Sequence, residues 1–316
     1  MKASSRFLKN LILTTALLSG VSVAYASTTG LMKVTGPIFV IVMENTSWSE
    51  IKGSRNSPYI NSLLSHPQAS YANNYNNPQG THPSLGNYLW MEAGTRFGIA
   101  DDSDPTAPAN QLRGQEHLAK QLQTAGISWK TYQENISGKE CPLNTKRPYA
   151  PKHNPFIYFD DVTDSFNPAS PYCIAHVRPF EELTRDLASN TVAKYVFITP
   201  NLCNDMHDAC APTHNRIKQG DTWLQNLVPA ILASHAYQNN GALIITWDEA
   251  DYSWNAASSG DGPIGFILLS PQAKGKGYSN NVYYNHGSLL RSIEMNNKVP
   301  YLNDANQQQD LSDLFK

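Results

Sequence analysis

The sequence lacks the features that are typical of nucleic-acid-binding proteins and of membrane proteins. Its Lys and Arg residues are scattered, with no basic run, and the formal net charge of the 316-residue chain is −2. A mildly acidic chain without a basic patch is a poor generic binder of nucleic acid or anionic membranes, so we expect no nucleic-acid partner. Beyond the N-terminus there is no apolar stretch long enough to cross a bilayer, no internal repeat and no long Ser, Gly or Pro linker. The function must therefore be sought in a local site.

The N-terminus has the pattern of a secretory signal peptide. Three basic residues precede an apolar run over residues 11–23, which is followed by the small-x-small sequence Ala24-Tyr25-Ala26. The run is shorter than the roughly 20 residues that a membrane-spanning helix needs. Removal of residues 1–26 takes away three positive charges and leaves a formal net charge of −5. We therefore expect an exported protein, periplasmic or secreted, with no stable membrane anchor and with residues 27–316 in a single domain.

Cysteine is scarce, but all four cysteines follow the predicted signal peptide. An even number in an exported chain favours two disulfides. Of the three possible pairings we expect the nearest-neighbour one, Cys141 with Cys173 and Cys203 with Cys210. The alternative is a zinc site whose ligands would be Cys203, His207, Cys210 and His214.

Four short apolar runs indicate buried strands, over residues 38–43, 195–199, 242–247 and 264–269. Continuous rather than alternating hydrophobicity is typical of parallel sheets that are covered on both faces. Residues 127–133 predict a further strand.

Helical patterns alternate with these runs, over residues 112–124, 180–188, 223–233 and 288–295. This alternation predicts an α/β fold, a three-layer α/β/α sandwich with a mostly parallel central sheet. The polar, Pro-rich stretches 100–110 and 137–172 are predicted to be surface insertions.

Two polar pairs directly follow the strands 38–43 and 242–247. Ligands bind at the carboxyl ends of the strands in an open parallel sheet, and oxygen-rich pairs there can hold a hard or borderline divalent cation. The alternative is that polar residues simply end the strands. We predict that the two pairs act together as metal ligands, which are Glu44, Asn45, Asp248 and Glu249.

The segment 80–89 predicts a turn that opens a helix, with Thr81 near the N-cap. Free amides and the helix dipole attract anions to a helix N-terminus. A hydroxyl there can face a phosphate and attack it if a metal lowers its pKa. Ser84 is a second hydroxyl candidate. The alternative is that Thr81 only caps the helix and that His82 is a surface residue.

Two further segments carry candidate histidines. The loop 201–210 follows a predicted strand and brings Asp205 close to His207, which suits a general acid or phosphate ligand oriented by a carboxylate. Both can instead be ordinary loop residues. His286 precedes the predicted helix 288–295, where it can point at an anion, although a lone histidine is usually structural.

Together these segments resemble the bacterial phosphoesterase family of acid phosphatases and phosphatidylcholine-type phospholipases C, within the alkaline phosphatase superfamily. Their order and spacing fit across nearly the whole predicted mature chain. The matching segments are Val42-Met43-Glu44-Asn45, Thr81-His82-Pro83-Ser84-Leu85, Asn204-Asp205-Met206-His207-Asp208, Trp247-Asp248-Glu249 and Asn285-His286-Gly287-Ser288-Leu289-Leu290-Arg291.

The resemblance implies an alkaline-phosphatase-like fold and roles for individual residues. It implies one divalent metal, Ca²⁺, Mg²⁺, Mn²⁺ or Zn²⁺, held by the two polar pairs and by Thr81, which is also the nucleophile. It implies phosphate contacts from Asp205 and His207. His207, with His82 or His286, would protonate the leaving group or stabilise the phosphoryl oxygens. The chain departs from the family pattern at Asn285, where members often have Asp.

The leading hypothesis is a phosphomonoesterase of the acid phosphatase kind, acting on small phosphate esters or phosphoinositide headgroups. A phospholipase C is the alternative enzyme, and a rim of Tyr88, Trp90, Trp254 and Tyr283 could admit lipid. The glycine-rich extension that often follows Asp-Glu in the phospholipases is replaced by residues 250–254, and no additional C-terminal domain is expected. The non-enzymatic alternative is an exported protein that binds metal or phosphate without turnover.

Overall fold

The computed structural model describes Met1, residues 33–251 and residues 262–316. The predicted signal peptide, apart from Met1, lies outside the described residues, and so does Trp254 of the predicted lipid rim. In the described ranges every helix is too short or too polar to span a bilayer.

The centre of the fold is an eight-stranded sheet with the strand order β5-β4-β6-β1-β7-β8-β2-β9, and a separate pair joins β3 to β10. The strands are β1 (Ile38–Met43), β2 (Ala69–Ala72), β3 (Tyr75–Asn76), β4 (Trp129–Gln133), β5 (Val177–Pro179), β6 (Tyr195–Thr199), β7 (Ala242–Trp247), β8 (Phe266–Leu269), β9 (Tyr278–Asn280) and β10 (Tyr284–Asn285).

The sheet is mostly parallel, as predicted. Strands β5, β4, β6, β1 and β7 are parallel to one another, whereas β8 runs antiparallel to both β7 and β2. Strands β1, β6 and β7 match the predicted runs residue for residue, but β8 begins at Phe266 rather than at the predicted Ile264. Gly265 breaks the predicted run because its φ is +85°, and Trp48 leaves no room there for a β-carbon.

Helices form a layer on each side of the sheet, so the predicted three-layer sandwich is confirmed. Helices α3, α4 and α10 contact one another, and α8 contacts α2, α7 and α9. The helices are α1 (Trp48–Ile51), α2 (Pro58–Leu63), α3 (Ser84–Ala93), α4 (Leu118–Thr124), α5 (Asp160–Thr163), α6 (Pro171–His176), α7 (Glu182–Ala188), α8 (Arg216–Ala233), α9 (His235–Gln238) and α10 (His286–Asn297). Short 3-10 helices cover Pro108–Asn110, Pro151–His153, Pro155–Tyr158, Asn303–Gln307 and Ser312–Leu314.

Two predicted helix starts were wrong. Residues 112–117 are not helical, because Leu112 exchanges backbone hydrogen bonds with Tyr158 and Asp160, and α4 begins only at Leu118. Helix α8 starts seven residues before the predicted Trp223, because the Asn215 side chain caps it.

The prediction that residues 137–172 form a surface insertion was also wrong. Phe156 in this stretch is fully buried and stacks on Trp129 at 5.0 Å between ring centroids. The nearest-neighbour disulfide pairing is confirmed, and the bond between Cys141 and Cys173 closes this stretch. Because Cys203 is bonded to Cys210, the alternative zinc site is excluded.

Helix α3 carries an acid, Glu92, inside the core. Its carboxylate has no exposed surface and accepts a hydrogen bond from the Tyr195 hydroxyl at 2.5 Å. Burial raises the pKa of Glu92 from 4.5 to about 8, because the charged carboxylate loses its hydration there. The folded chain therefore holds a proton that the unfolded chain releases near pH 4.5.

We expect the free energy of unfolding to fall as the pH rises through this window, because the unfolded state then binds fewer protons. The side chain in Glu92→Gln cannot ionise. Between about pH 5 and pH 8 the free energy of unfolding of this variant should therefore fall by roughly 3 kcal/mol less than that of wild type. Urea denaturation at several pH values measures the slope. Glu182→Gln, at a partly exposed acid, is the control. Equal slopes in wild type and Glu92→Gln would contradict the assignment.

Candidate active site

Three strand ends bring the predicted metal pairs and the histidine loop together. Met43 is paired with Trp247 where β1 and β7 end, so the residues that follow, Glu44 and Asp248, are neighbours. Asn45 then donates its backbone N–H to Asp248 Oδ1 at 3.1 Å. On the other side of β1, Glu44 donates its N–H to the Asp205 carbonyl at 2.7 Å. The parallel register therefore assembles one acidic centre from distant parts of the sequence.

This centre contains three fully buried carboxylates, those of Glu44, Asp205 and Asp248. Burial raises the pKa of each well above its ordinary value, and repulsion from neighbouring carboxylates raises it further. One oxygen of each carboxylate, Glu44 Oε1, Asp205 Oδ2 and Asp248 Oδ2, has no hydrogen-bond donor within the described residues. Buried oxygens without donors are costly unless a positive group satisfies them.

The Asn45 amide indicates what kind of group fits. In one orientation its NH2 donates to Glu44 Oε2 at 3.0 Å and to Glu249 Oε1 at 3.3 Å. In the other orientation its oxygen faces both carboxylate oxygens, which becomes favourable when a cation lies among them. Ligand oxygens about 2.1 Å from one octahedral cation lie about 3 Å apart. The donor set therefore suits a hard divalent cation.

The side chains do not, as they stand, form a ready metal cluster. Among the described residues, no three His, Cys, Asp or Glu side chains are arranged to hold a metal ion together. Glu249 Oε2 is engaged by His82 Nδ1 at 2.6 Å and by the Asn87 amide at 2.9 Å. The fit to a cation rests on the Asn45 amide and on the carboxylate oxygens without donors.

Thr81 lies beside this centre and near the N-cap of α3, as predicted. Helix α3 begins at Ser84 with Pro83 as its N-cap, so Thr81 is two residues further out. Thr81 is 2% exposed. Its carbonyl accepts a 2.9 Å hydrogen bond from the Asn87 amide, which also donates to Glu249 Oε2. Asn87 thus fixes the predicted nucleophile to a predicted metal ligand.

The second hydroxyl candidate, Ser84, is also in the site. Its Oγ donates to Glu44 Oε2 at 3.3 Å from the first turn of α3. This hydrogen bond gives Ser84 a role in orienting Glu44. The Ser84 hydroxyl therefore contacts the acidic centre directly, whereas Thr81 is linked to it through Asn87.

In the loop 201–210, Asp205 and His207 differ in their exposure to solvent. Asp205 is buried and accepts the His207 backbone N–H at 2.8 Å, whereas the His207 side chain is 25% exposed. His207 Nδ1 lies 2.7 Å from Asp208 Oδ1, and Arg147 also contacts the Asp208 carboxylate. Burial, followed by the nearby Lys152 charge, lowers the pKa of His207. Its imidazole therefore lies at the side of the site that solvent reaches.

His286 is fully buried as the first residue of α10. Its Nε2 lies 2.6 Å from the Asp248 carbonyl and its Nδ1 3.2 Å from the Tyr75 hydroxyl. Burial lowers the pKa of His286 to about 4, so it is neutral at physiological pH. With both ring nitrogens engaged, His286 is placed to hold Asp248 rather than to reach a substrate.

The chain matches the phosphoesterase family over residues 75–300. The protein belongs to that family. A phosphatidylinositol-3-phosphatase from Mycobacterium tuberculosis is 29% identical, covering 85% of this chain and 80% of that protein. A probable acid phosphatase from Kluyveromyces lactis is 28% identical over 84% of this chain, and a phosphate-repressible acid phosphatase from Penicillium chrysogenum is 29% identical over 70%. The chain spans only 58% and 51% of these two fungal proteins.

Solved structures show the same fold at low sequence identity. The lipoteichoic acid synthase of Listeria monocytogenes superposes with a TM-score of 0.58 at 10% identity, covering 92% of this chain and 80% of that one. A protein of the alkaline phosphatase superfamily from Vibrio parahaemolyticus gives 0.54 at 10% identity, with 88% and 71% covered. The predicted alkaline-phosphatase-like fold is confirmed.

His153 is a site residue of this phosphoesterase that the sequence did not reveal. Its Nε2 lies 3.0 Å from Glu44 Oε1 and its Nδ1 3.2 Å from Asp205 Oδ2, so the ring lies between two buried carboxylates, although neither contact is aligned as a hydrogen bond. The ring stacks on Tyr88 at 5.1 Å between centroids. Tyr88 is therefore in the core and not in the predicted lipid-admitting rim. His153 had no local signal because it lies in the stretch that was predicted to be a surface insertion.

Arg216 is a second site residue without a signal in the sequence. Its Nη1 donates to the Asn45 carbonyl at 2.7 Å and to the Met206 carbonyl at 3.3 Å. Its Nη2 donates to Glu50 at 3.2 Å and to Asp251 at 3.0 Å. One guanidinium thus ties together the three chain segments that carry the acidic centre, using the multiple donors that only arginine offers.

The short disulfide gives a test of the histidine loop. Cys203→Ser with Cys210→Ser should lower stability by about 2 kcal/mol, because the closed loop is short. It should also lower phosphatase kcat/KM, because Asp205 and His207 lose their restraint. The control, Cys141→Ser with Cys173→Ser, opens a longer loop and should cost about 3–4 kcal/mol. Thermal melts and kinetics below both melting temperatures separate the effects. The control loop carries His153, so the control can lose activity as well; unchanged kcat/KM in Cys203→Ser with Cys210→Ser would contradict the role of the histidine loop.

Proposed function

We propose that this chain is an exported, metal-dependent phosphatase that hydrolyses phosphomonoesters through a phosphothreonine intermediate. The observation that carries the proposal is the acidic centre itself. Three buried carboxylates with donor-free oxygens lie beside Thr81, whose position is fixed to Glu249 through Asn87. Membership of the phosphoesterase family and similarity to acid phosphatases support phosphate esters as the substrates. The two disulfides support export.

The residues proposed to hold one divalent metal are Glu44, Asn45, Thr81, Asp248 and Glu249. The metal would stabilise the alkoxide form of a coordinated hydroxyl and the negative charge of the transferring phosphoryl group. An oxygen-rich set of this kind accommodates Ca²⁺, Mg²⁺, Mn²⁺ or Zn²⁺.

The protein groups then perform a two-step transfer. Thr81 Oγ1 gives up its proton to solvent and attacks phosphorus as the bond from phosphorus to the ester oxygen breaks, and a phosphothreonine forms. A water molecule next attacks phosphorus, the bond from phosphorus to Oγ1 breaks, phosphate leaves, and a proton from the water restores the Thr81 hydroxyl. Asp205 and His207 would contact the phosphoryl group, and His207 would give a proton to the leaving oxygen.

The other histidines have separate roles in this proposal. The contact of Glu249 with His82 Nδ1 orients the His82 ring beside the centre, where it would serve the phosphoryl oxygens or the leaving group. His286 would act by fixing Asp248 through the backbone carbonyl at 2.6 Å. His153 would position Glu44 and Asp205 by packing between their carboxylates, at 3.0 and 3.2 Å from its ring nitrogens.

A substrate panel with and without chelator tests the proposal. We expect a chromogenic phosphomonoester to be turned over, the activity to be lost with chelator, and one of the four divalent ions to restore it. Phosphorylcholine diesters should be turned over more slowly. Release of phosphate at the full rate in chelator would refute the metal mechanism. Metal uptake without release of phosphate from any ester would instead support the non-enzymatic binding protein.

The preference for monoesters has two supports. The M. tuberculosis relative carries the name of a phosphatase that acts on a phosphoinositide headgroup. The lipid rim that a phospholipase C would need is weakened, because Tyr88 is buried against His153, although Tyr283 is 50% exposed. A phosphoinositide headgroup is therefore a suitable lipid-derived substrate to include in the panel.

A further inference from the structure

The site also contains a lysine that the sequence did not indicate. Lys152 precedes His153 in the 3-10 helix Pro151–His153. Its Nζ lies 2.9 Å from Asp102 Oδ2 and 3.4 Å from His207 Nε2. The Lys152 side chain is 18% exposed and that of His207 is 25% exposed, so both nitrogens lie where the buried centre meets solvent.

We propose that Lys152 is a substrate-binding residue whose ammonium group, beside Nε2 of His207, binds the non-bridging oxygens of the phosphoryl group. This inference rests on the proposed phosphatase function and adds a residue to it. Lysine is a compact cation with three donors, which suits phosphate oxygens.

The electrostatics of the centre favour such a cation. Lys152 is the chain neighbour of His153, whose ring nitrogens lie 3.0 Å from Glu44 Oε1 and 3.2 Å from Asp205 Oδ2, so the lysine is close to the buried carboxylates. The proposed ligand set contains three carboxylates, and a phosphomonoester brings close to two more negative charges. The two positive charges of one divalent ion do not neutralise these negative charges. A fixed ammonium at the mouth supplies attraction for the substrate without occupying the metal ligands.

Asp102 links Lys152 to the chain segment that carries the proposed nucleophile. Its Oδ1 accepts the Leu85 backbone N–H at 3.0 Å in the first turn of α3, while its Oδ2 accepts from Lys152. The segment that leads into α3 carries Thr81. The position of the Lys152 ammonium relative to the segment that carries Thr81 is therefore set through the Asp102 carboxylate and the N-terminal turn of α3.

The competing role for Lys152 is purely structural. In that case the ammonium only offsets the repulsion among the buried carboxylates. Removing it would then tighten metal binding and leave the affinity for phosphate unchanged. The two roles therefore predict different results for one variant.

The test compares Lys152→Met with Lys146→Met, which removes the same charge at a side chain that is 67% exposed. Inorganic phosphate is the probe, as a competitive inhibitor of a chromogenic phosphomonoester. We expect the inhibition constant and the KM of Lys152→Met to rise about 10- to 100-fold, as for loss of one charge-assisted hydrogen bond. Lys146→Met should stay within about twofold of wild type, and Lys152→Arg should regain part of the loss.

Phosphate protection against thermal unfolding, measured with metal present, supplies a second readout that needs no turnover. If wild type showed protection but no turnover, the proposed function would fail while Lys152 could still be judged by the loss of protection. Equal phosphate affinities in Lys152→Met and Lys146→Met would overturn the inference. If Lys152→Met does not fold, Lys152→Gln replaces it, because its amide can still donate to Asp102.

Discussion

Replacing Thr81 by alanine is expected to reduce phosphate release by roughly a thousandfold or more, the scale seen when a catalytic nucleophile is removed. The physical reason is that no other oxygen would form the covalent intermediate, so water would have to attack the ester directly. Thr81→Ser keeps the hydroxyl and should retain activity within about tenfold. Steady-state release from a chromogenic phosphomonoester measures the loss.

Ser84→Ala is the matched control, because Ser84 is the neighbouring hydroxyl and contacts Glu44 at 3.3 Å. We expect Ser84→Ala to lose about tenfold, since only the orientation of Glu44 changes. Acid quenching with a labelled ester should trap a phosphoprotein in wild type and not in Thr81→Ala. A trapped phosphoprotein in Thr81→Ala that disappears in Ser84→Ala would transfer the nucleophile to Ser84.

The strands that carry this site could be predicted because every residue in them is buried. Strands β1, β6 and β7 are buried along their whole length, so hydrophobicity alone marks their ends. Polar residues follow β1 and β7 immediately, which is why Glu44 and Asp248 stand out. Where a strand end depends on a contact with a distant residue, as at Gly265 beside Trp48, no local pattern marks it.

The contribution of residues 137–172 could not be predicted because it arises from tertiary contacts alone. The stretch is polar and rich in proline, a composition typical of loops. Its packing depends on Phe156, which lies between Trp129 and Phe197 of two sheet strands. Only that packing carries His153 and Lys152 into the acidic centre, so neither residue was distinguishable from a surface residue beforehand.

Glu249 illustrates the same limit within a motif that was found. Its side chain was predicted as a metal ligand, yet Oε2 contacts both His82 and Asn87. These partners come from the segment around α3, far away in sequence. Sequence reasoning thus located the carboxylates but not the hydrogen bonds that orient them, and these bonds link the proposed metal site to the Thr81 segment.

Asp248→Asn is expected to separate metal binding from the stability of the fold. Without metal, the raised pKa values of Asp248 and its neighbours mean that the folded state binds more protons than the unfolded state. The stability of the metal-free wild type should therefore fall as the pH rises above the ordinary carboxylate range, from about pH 4 towards neutrality. Asp248→Asn removes one buried charge and should be more stable than wild type at pH 7 without metal, by about 2 kcal/mol.

With metal the order should reverse. A divalent ion that binds only the folded state stabilises wild type by about 3 kcal/mol at 100 times its dissociation constant, whereas Asp248→Asn should gain little. Phosphatase activity of Asp248→Asn should fall at least a hundredfold, because the proposed ligand is lost. The amide oxygen in Asp248→Asn can still accept the Asn45 backbone N–H that the carboxylate accepts at 3.1 Å, so this contact survives.

Urea denaturation in chelator and in each of the four divalent ions measures these differences, with Glu181→Gln as an exposed charge-matched control. Equal metal stabilisation of wild type and Asp248→Asn would remove Asp248 from the ligand set. If Asp248→Asn were less stable than wild type at pH 7 in chelator, the Asp248 carboxylate would be satisfied by hydrogen-bond donors of the protein. The acidic centre would then be structural, and the donor-free oxygens of Glu44, Asp205 and Asp248 would no longer indicate a cation.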